Sequence, residues 1–65
     1  MKVTEVRSVN YQDYASIGEP LPNHWLVIVS VDTSGYAEHL YFPDTTNGAL
    51  DAASVSVGDD ISKLR

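Results

Sequence analysis

Between Ser8 and Ser62 the chain contains neither lysine nor arginine. The same stretch holds Asp13, Glu19, Asp32, Glu38, Asp44, Asp51, Asp59 and Asp60, so every acid except Glu5 lies where no fixed positive charge does. The basic residues sit at the ends, as Lys2, Arg7, Lys63 and Arg65. A body built this way cannot pair its acids internally except through histidine, and its surface potential is expected to be negative over most of its area. That sets phosphate, nucleic acid and anionic membrane aside as ligands and favours a basic partner. Cysteine is also absent. No disulfide can staple the fold and no thiolate zinc site can form, which suits a reducing compartment. The N-terminus, Met-Lys-Val-Thr-Glu-Val-Arg, has charges where a secretion signal needs an apolar core, so the expected location is cytoplasmic. The longest uninterrupted apolar run, Trp25 to Val29, is far too short to span a bilayer.

What is present reads as one small domain, residues 1–65, near the lower size limit for independent folding. Val3, Val6 and Val9 recur three apart, a helical spacing, yet three valines within Lys2 to Val9 favour a strand. A short helix is expected from Tyr11 to Ile17, with Asn10 as N-cap, Asp13 in the first turn, Gly18 just past the end and Pro20 stopping it. Glu19-Pro-Leu-Pro-Asn23 reads as a stiff extended connector. His24 to Val31 is almost pure strand chemistry, and Tyr36 to Phe42 returns as its partner. Asp32-Thr-Ser-Gly35 between them has the signature of a type I turn closed by a glycine bulge, with positive φ at Gly35. Its three loop residues would set Ile28 opposite Leu40 and Val29 opposite His39. Both sides of this hairpin are apolar at mid-length, so each needs a cover: the Tyr11–Ile17 helix on one, the C-terminal segment or another chain on the other. Asp44 to Gly48 is turn chemistry, Ala49 to Ala53 favours a helix, and Ser54 to Val57 a strand. Asp59 or Asp60 can cap a last turn through Ile61 and Leu64. The expected fold is α+β, a small, mostly antiparallel sheet of three or four strands with a central hairpin at about 24–42 and one or two short helices.

No chemical motif emerges. The four glycines are isolated at turns, with no Walker or dinucleotide loop, and no Gly-x-Ser-x-Gly elbow occurs. In the expected register the two histidines, His24 and His39, point to opposite sides of the hairpin and cannot share an ion. A chain this short cannot build a deep cleft around paired carboxylates. The expectation is therefore no enzyme, no metal and no cofactor. Tyr11, Tyr14, Tyr36 and Tyr41 could stack on bases, but with no cation nearby the phosphates would be repelled, so direct nucleic-acid binding is not expected either. Tyrosine and tryptophan also anchor protein interfaces.

In its length and in the base-free stretch Ser8–Ser62, the chain resembles small acidic phage-encoded inhibitors, the anti-CRISPR proteins and DNA-mimicking anti-restriction proteins. The resemblance carries no binding residue across. It implies a protein of the host cytoplasm that occupies a basic, nucleic-acid-binding surface of a larger protein. The candidate contacts, read from the residues themselves, are Asp13, Glu19, Asp32, Glu38, Asp44, Asp59 and Asp60, with Tyr36. The alternative is a structural module, a homodimer or small subunit of a complex, whose acidity serves solubility.

Overall fold

A computed structural model describes residues 1–64. Three antiparallel strands run as a meander: β1 (Val3–Gln12), β2 (His24–Val31) and β3 (Ser34–Pro43), in the spatial order β1-β2-β3. Helix α1 (Thr46–Ser54) follows, and a single 3₁₀ turn (Ile61–Lys63) closes the described chain. The class is small α+β.

The valine spacing of β1 is resolved by bulges. Val3 pairs with Val31, Val6 with Val29 and Val9 with Val27, and the register shifts once between each pair of valines. Each shift takes one extra residue, Thr4 and then Arg7, out of the alternation. A spacing of three thereby becomes a spacing of two, and all three valines land on the same side of the sheet.

The β2–β3 register differs from the sequence expectation by one residue. Val27 pairs with Leu40, Ile28 with His39 and Val29 with Glu38, and Val31 pairs with Ser34 across Asp32-Thr33. A slip of one exchanges the sides of every side chain on one strand relative to the other. Val27, Val29, Leu40 and Phe42 therefore share one side, where they are buried. Leu26, Ile28, His39 and Tyr41 share the other. The slip is absorbed near the turn, where Gly35, Tyr36 and Ala37 stand opposite Ser30 alone. Gly35 has no positive φ. The Ser34 hydroxyl instead accepts the Tyr36 backbone N–H (3.1 Å), a donor the bulge removes from the ladder.

The core lies on the first side. Val3, Val27, Val29, Val31, Leu40 and Phe42 from the sheet meet Ala52 and Val55 from α1 and Ile61 from the 3₁₀ turn. Trp25, Val6 and Leu64 pack at its edge. Thr45 caps α1 by accepting the Gly48 N–H (2.9 Å). Gly48 is buried inside the first helical turn, not in the preceding turn where its sequence context placed it. A Cβ there would fall on the Pro43 carbonyl oxygen, so only glycine lets the helix dock this close to the end of β3.

The Tyr11–Ile17 helix is absent. β1 continues through Gln12, and residues 14–18 form one turn. Asp13, not Asn10, caps it, accepting the Ser16 N–H (3.2 Å) and the Ser16 hydroxyl. Gly18 (φ 77°) closes it as expected, with Glu19 N–H on the Tyr14 carbonyl (3.1 Å). Four residues between cap and glycine leave no length for a helix. Cover for the core side comes from the C-terminal segment alone. Residues 54–57 form no strand; the chain turns at Gly58 (φ 95°) and runs back along the start of β1, with Val3 N–H on Asp59 O and Gly58 N–H on Val3 O, both 2.8 Å.

Candidate functional site: the loop end of the sheet

The fold sorts six of the seven predicted acids into two groups. Asp32, Asp59 and Asp60 lie where the chain termini meet the β2–β3 turn. Asp32 Oδ1 accepts the Lys2 backbone N–H (3.0 Å). Asp59 Oδ2 accepts Ser56 N–H (2.8 Å). Asp60 caps the 3₁₀ turn, accepting Ser62 N–H (3.0 Å) and the Ser62 hydroxyl (2.9 Å), and its backbone forms an isolated antiparallel bridge with that of Lys2. The Ser62 bonds, with help from the N-terminal ammonium and Lys63, hold the Asp60 carboxyl below the usual carboxylate range. Of the acids at this end, Asp60 alone is shown to feel positive charge, because folding brings Met1 and Lys63 close to it. Arg7 is also engaged, reaching Glu5 at 3.4 Å on the exposed surface of β1. Arg65 lies outside the described residues.

At the other end, Asp13, Glu19 and Asp44 have no lysine or arginine among their described partners. Asp44 Oδ2 accepts the Tyr11 hydroxyl (2.9 Å). That bond, then desolvation and the Asp44 charge, raise the Tyr11 phenol above its ordinary value. Asp13 is held low, chiefly by the Ser16 hydroxyl and backbone. Asn23 ties the loop together, its Oδ1 accepting Ala15 N–H (3.0 Å). Tyr11 packs against Trp25 in a tilted ring contact, centroids 5.2 Å apart. The two ends are separated by the length of β2, about 23 Å at 3.3 Å per residue, well beyond the ~8 Å screening length at physiological salt.

The remaining candidates lie elsewhere. Glu38 is half-buried on β3 opposite Val29. Tyr36 is 85% exposed in the bulge by the β2–β3 turn, with no side-chain connection to the acids of the loop end.

An open groove of about 690 Å³ runs across the loop end. Leu21, Pro22 and Pro43 give it apolar walls, Tyr14, His24 and Tyr41 line it with rings, and Asp44 stands at its rim. His24 lies between two tyrosines, its ring 5.5 Å from Tyr14 and 5.2 Å from Tyr41. Its Nδ1 donates to the Pro22 carbonyl (3.2 Å), so in the neutral ring Nε2 is an acceptor. Nε2 is buried with no hydrogen-bond partner among the described residues. Such an orphan costs about 1–3 kcal/mol.

Of the groove residues only Asp44 was among the candidate contacts; Tyr14, Tyr41 and His24 were weighed in the sequence for other roles and not brought together. The available signal was Leu21, an apolar residue held between two prolines in a connector too stiff to tuck it into the core. The corrected register also puts His24 and His39 on the same side of the sheet, but on strand positions opposite Pro43 and Ile28, too far apart to converge. Among the described residues no three histidine or carboxylate groups gather as a metal site, and no helix is long and apolar enough to cross a membrane. No family model, curated protein or solved structure matches the chain.

Proposed function

We propose that this chain is a non-enzymatic binding protein that lays its acidic loop end on a basic surface of a larger protein, one that ordinarily holds nucleic acid, and blocks it. It would act as the anti-CRISPR and anti-restriction inhibitors do, in the host cytoplasm. The observation that carries the reading is the sorting of charge. Asp60 lies near Lys63 and the N-terminal ammonium, and Asp32 is tied to the Lys2 backbone N–H, whereas Asp13, Glu19 and Asp44 face solvent with no base among their described partners. A net charge of −5 concentrated this way steers encounter with a positive groove, and the neighbouring aromatics supply the contact area. The hairpin of residues 24–42 is the scaffold that holds the two halves of the loop end together.

The test uses charge neutralisation that keeps the caps, since asparagine caps as well as aspartate. Protein captured from host lysate at low salt by the parent should be lost with Asp13→Asn/Asp44→Asn and retained with Asp32→Asn/Asp60→Asn. The captured protein should release its nucleic acid when the parent is added. Capture indifferent to both salt and the first pair of substitutions would sink the proposal.

A second reading has its own support. Leu26, Ile28, His39 and Tyr41 lie on the side of the sheet that α1 does not cover, as a homodimer or subunit interface would require. Sedimentation at two concentrations decides this: a dimer that persists in high salt and is broken by Ile28→Lys would favour the structural module.

A further inference from the structure

We infer that the loop-end groove is the grip for one arginine side chain, presented between apolar residues on an extended segment of the basic partner. The inference rests on the docking reading above and names the group that docks. Four observations on this one groove converge.

Its walls at Leu21, Pro22 and Pro43 are apolar and stiff. They suit an aliphatic stem and neighbouring apolar side chains, and they change little on binding because two prolines fix them. Its ring surface comes from the Tyr14–His24–Tyr41 cluster of tilted and edge-on rings, with Tyr41 64% exposed. An exposed ring face attracts a cation, and a planar guanidinium more than an ammonium, because it also stacks. Asp44 at the rim is an exposed carboxylate whose Oδ2 already holds the Tyr11 hydroxyl, so it is fixed in place to receive N–H donors. Lastly, no lysine or arginine lines the groove. The described bases are committed to the far end or to the outer surface of β1.

A volume of about 690 Å³ lies within the range of sites that bury a drug-sized ligand, so the groove takes a short peptide segment and not a lone ion. An apolar peptide would leave Asp44 desolvated without a partner, and an anionic one would be repelled. The chemistry that satisfies walls, rings and rim together is a cation on an aliphatic stem between apolar neighbours.

The probe is the capped peptide acetyl-Leu-Arg-Leu-amide, compared with its citrulline counterpart, which keeps the shape and loses the charge. Amide chemical-shift titration of the full chain reads both site and affinity. The arginine peptide should shift residues 21–24 and 41–44 and bind at least roughly tenfold more tightly than the citrulline peptide. Tyr41→Ala lies on the uncovered side of the sheet, away from the core, and should weaken binding by about the same factor with an unchanged thermal midpoint. Asp44→Asn should weaken it and flatten its salt dependence. Equal binding of the two peptides, or shifts confined to other residues, would overturn the inference. So would concentration-dependent shifts at the same residues without peptide, which would assign the groove to a second copy of the chain. If the peptide fails while Asp13→Asn/Asp44→Asn still abolishes capture of the partner, only the arginine grip falls. If both fail, the docking reading falls with it.

Discussion

Gly48 shows how one residue sets the placement of a whole element. It occupies the first turn of α1, its N–H on the Thr45 hydroxyl, and its missing side chain is what lets the helix meet the Pro43 carbonyl. Gly48→Ala should cost about 2 kcal/mol or more in denaturant unfolding, since nothing but backbone can yield. Gly35→Ala is the control: a Cβ there meets nothing within 4 Å, and the change should stay within about 0.5 kcal/mol. Equal effects at the two sites would mean that the helix does not dock where the fold puts it. The capping acids make a prediction of a different kind. Asp13 and Asp60 both have carboxyls held below the ordinary value, first by the hydroxyls of Ser16 and Ser62. A lowered folded-state pKa stabilises the fold above the unfolded carboxyl value, near pH 4, and that contribution disappears as pH falls through the folded value. The thermal midpoint of the parent should therefore drop between about pH 4 and pH 2. Asp13→Asn/Asp60→Asn should drop less over the same range. Parallel curves for the two proteins would remove these caps from the account of acid sensitivity.

At the scale of the element, β1 is the informative case. Val3 and Val6 reach the core only because Thr4 and Arg7 are bulged out. Deleting Arg7 removes a bulge and slips everything before it by one residue, turning Val3 and Val6 away from Val31 and Val29. The deletion should abolish cooperative unfolding, whereas Arg7→Ser, which keeps the bulge, should cost less than about 1 kcal/mol. A deletion variant as stable as the parent would show that the register is not fixed by these valines. The same strand explains what the sequence could and could not disclose. The strand character of Lys2–Val9 and of His24–Val31 was legible from β-branched content, the 46–54 helix from Ala49 to Ala53, and the last cap from Asp60. The Tyr11–Ile17 helix was misread because Asn10, Asp13 and Gly18 all look like helix punctuation. Only the cross-strand pairing of Tyr11 with Trp25 and Gln12 with His24 makes the first of them a strand residue. The turn at Asp32-Thr33 was misread because Gly35 suggested a positive φ that the Ser34–Tyr36 hydrogen bond makes unnecessary. That single turn decided which side His39, Leu40 and Tyr41 occupy, and with it whether a groove between Tyr14, His24 and Tyr41 could be seen at all.

For the molecule as a whole, the governing fact is that folding separates charges the sequence leaves scattered. In the chain Asp32 and Asp44 look alike, both acids in turns. In the fold Asp32 accepts the backbone of Lys2, and Asp44 holds Tyr11 at the end remote from Lys2 and Lys63. The base-free stretch was readable from residue order; which of its acids stay unopposed was not, because that depends on where Met1, Lys2 and Lys63 come to lie. The proposed docking end and the arginine grip both depend on this sorting, and it can be measured without any partner. Proton relaxation enhancement by a cationic and an anionic nitroxide, taken in ratio, reports the potential near each amide. At physiological ionic strength the account predicts a clearly more negative potential at residues 13–23 and 42–45 than at residues 1–3, 31–33 and 58–63. Equal potentials at the two ends would contradict it.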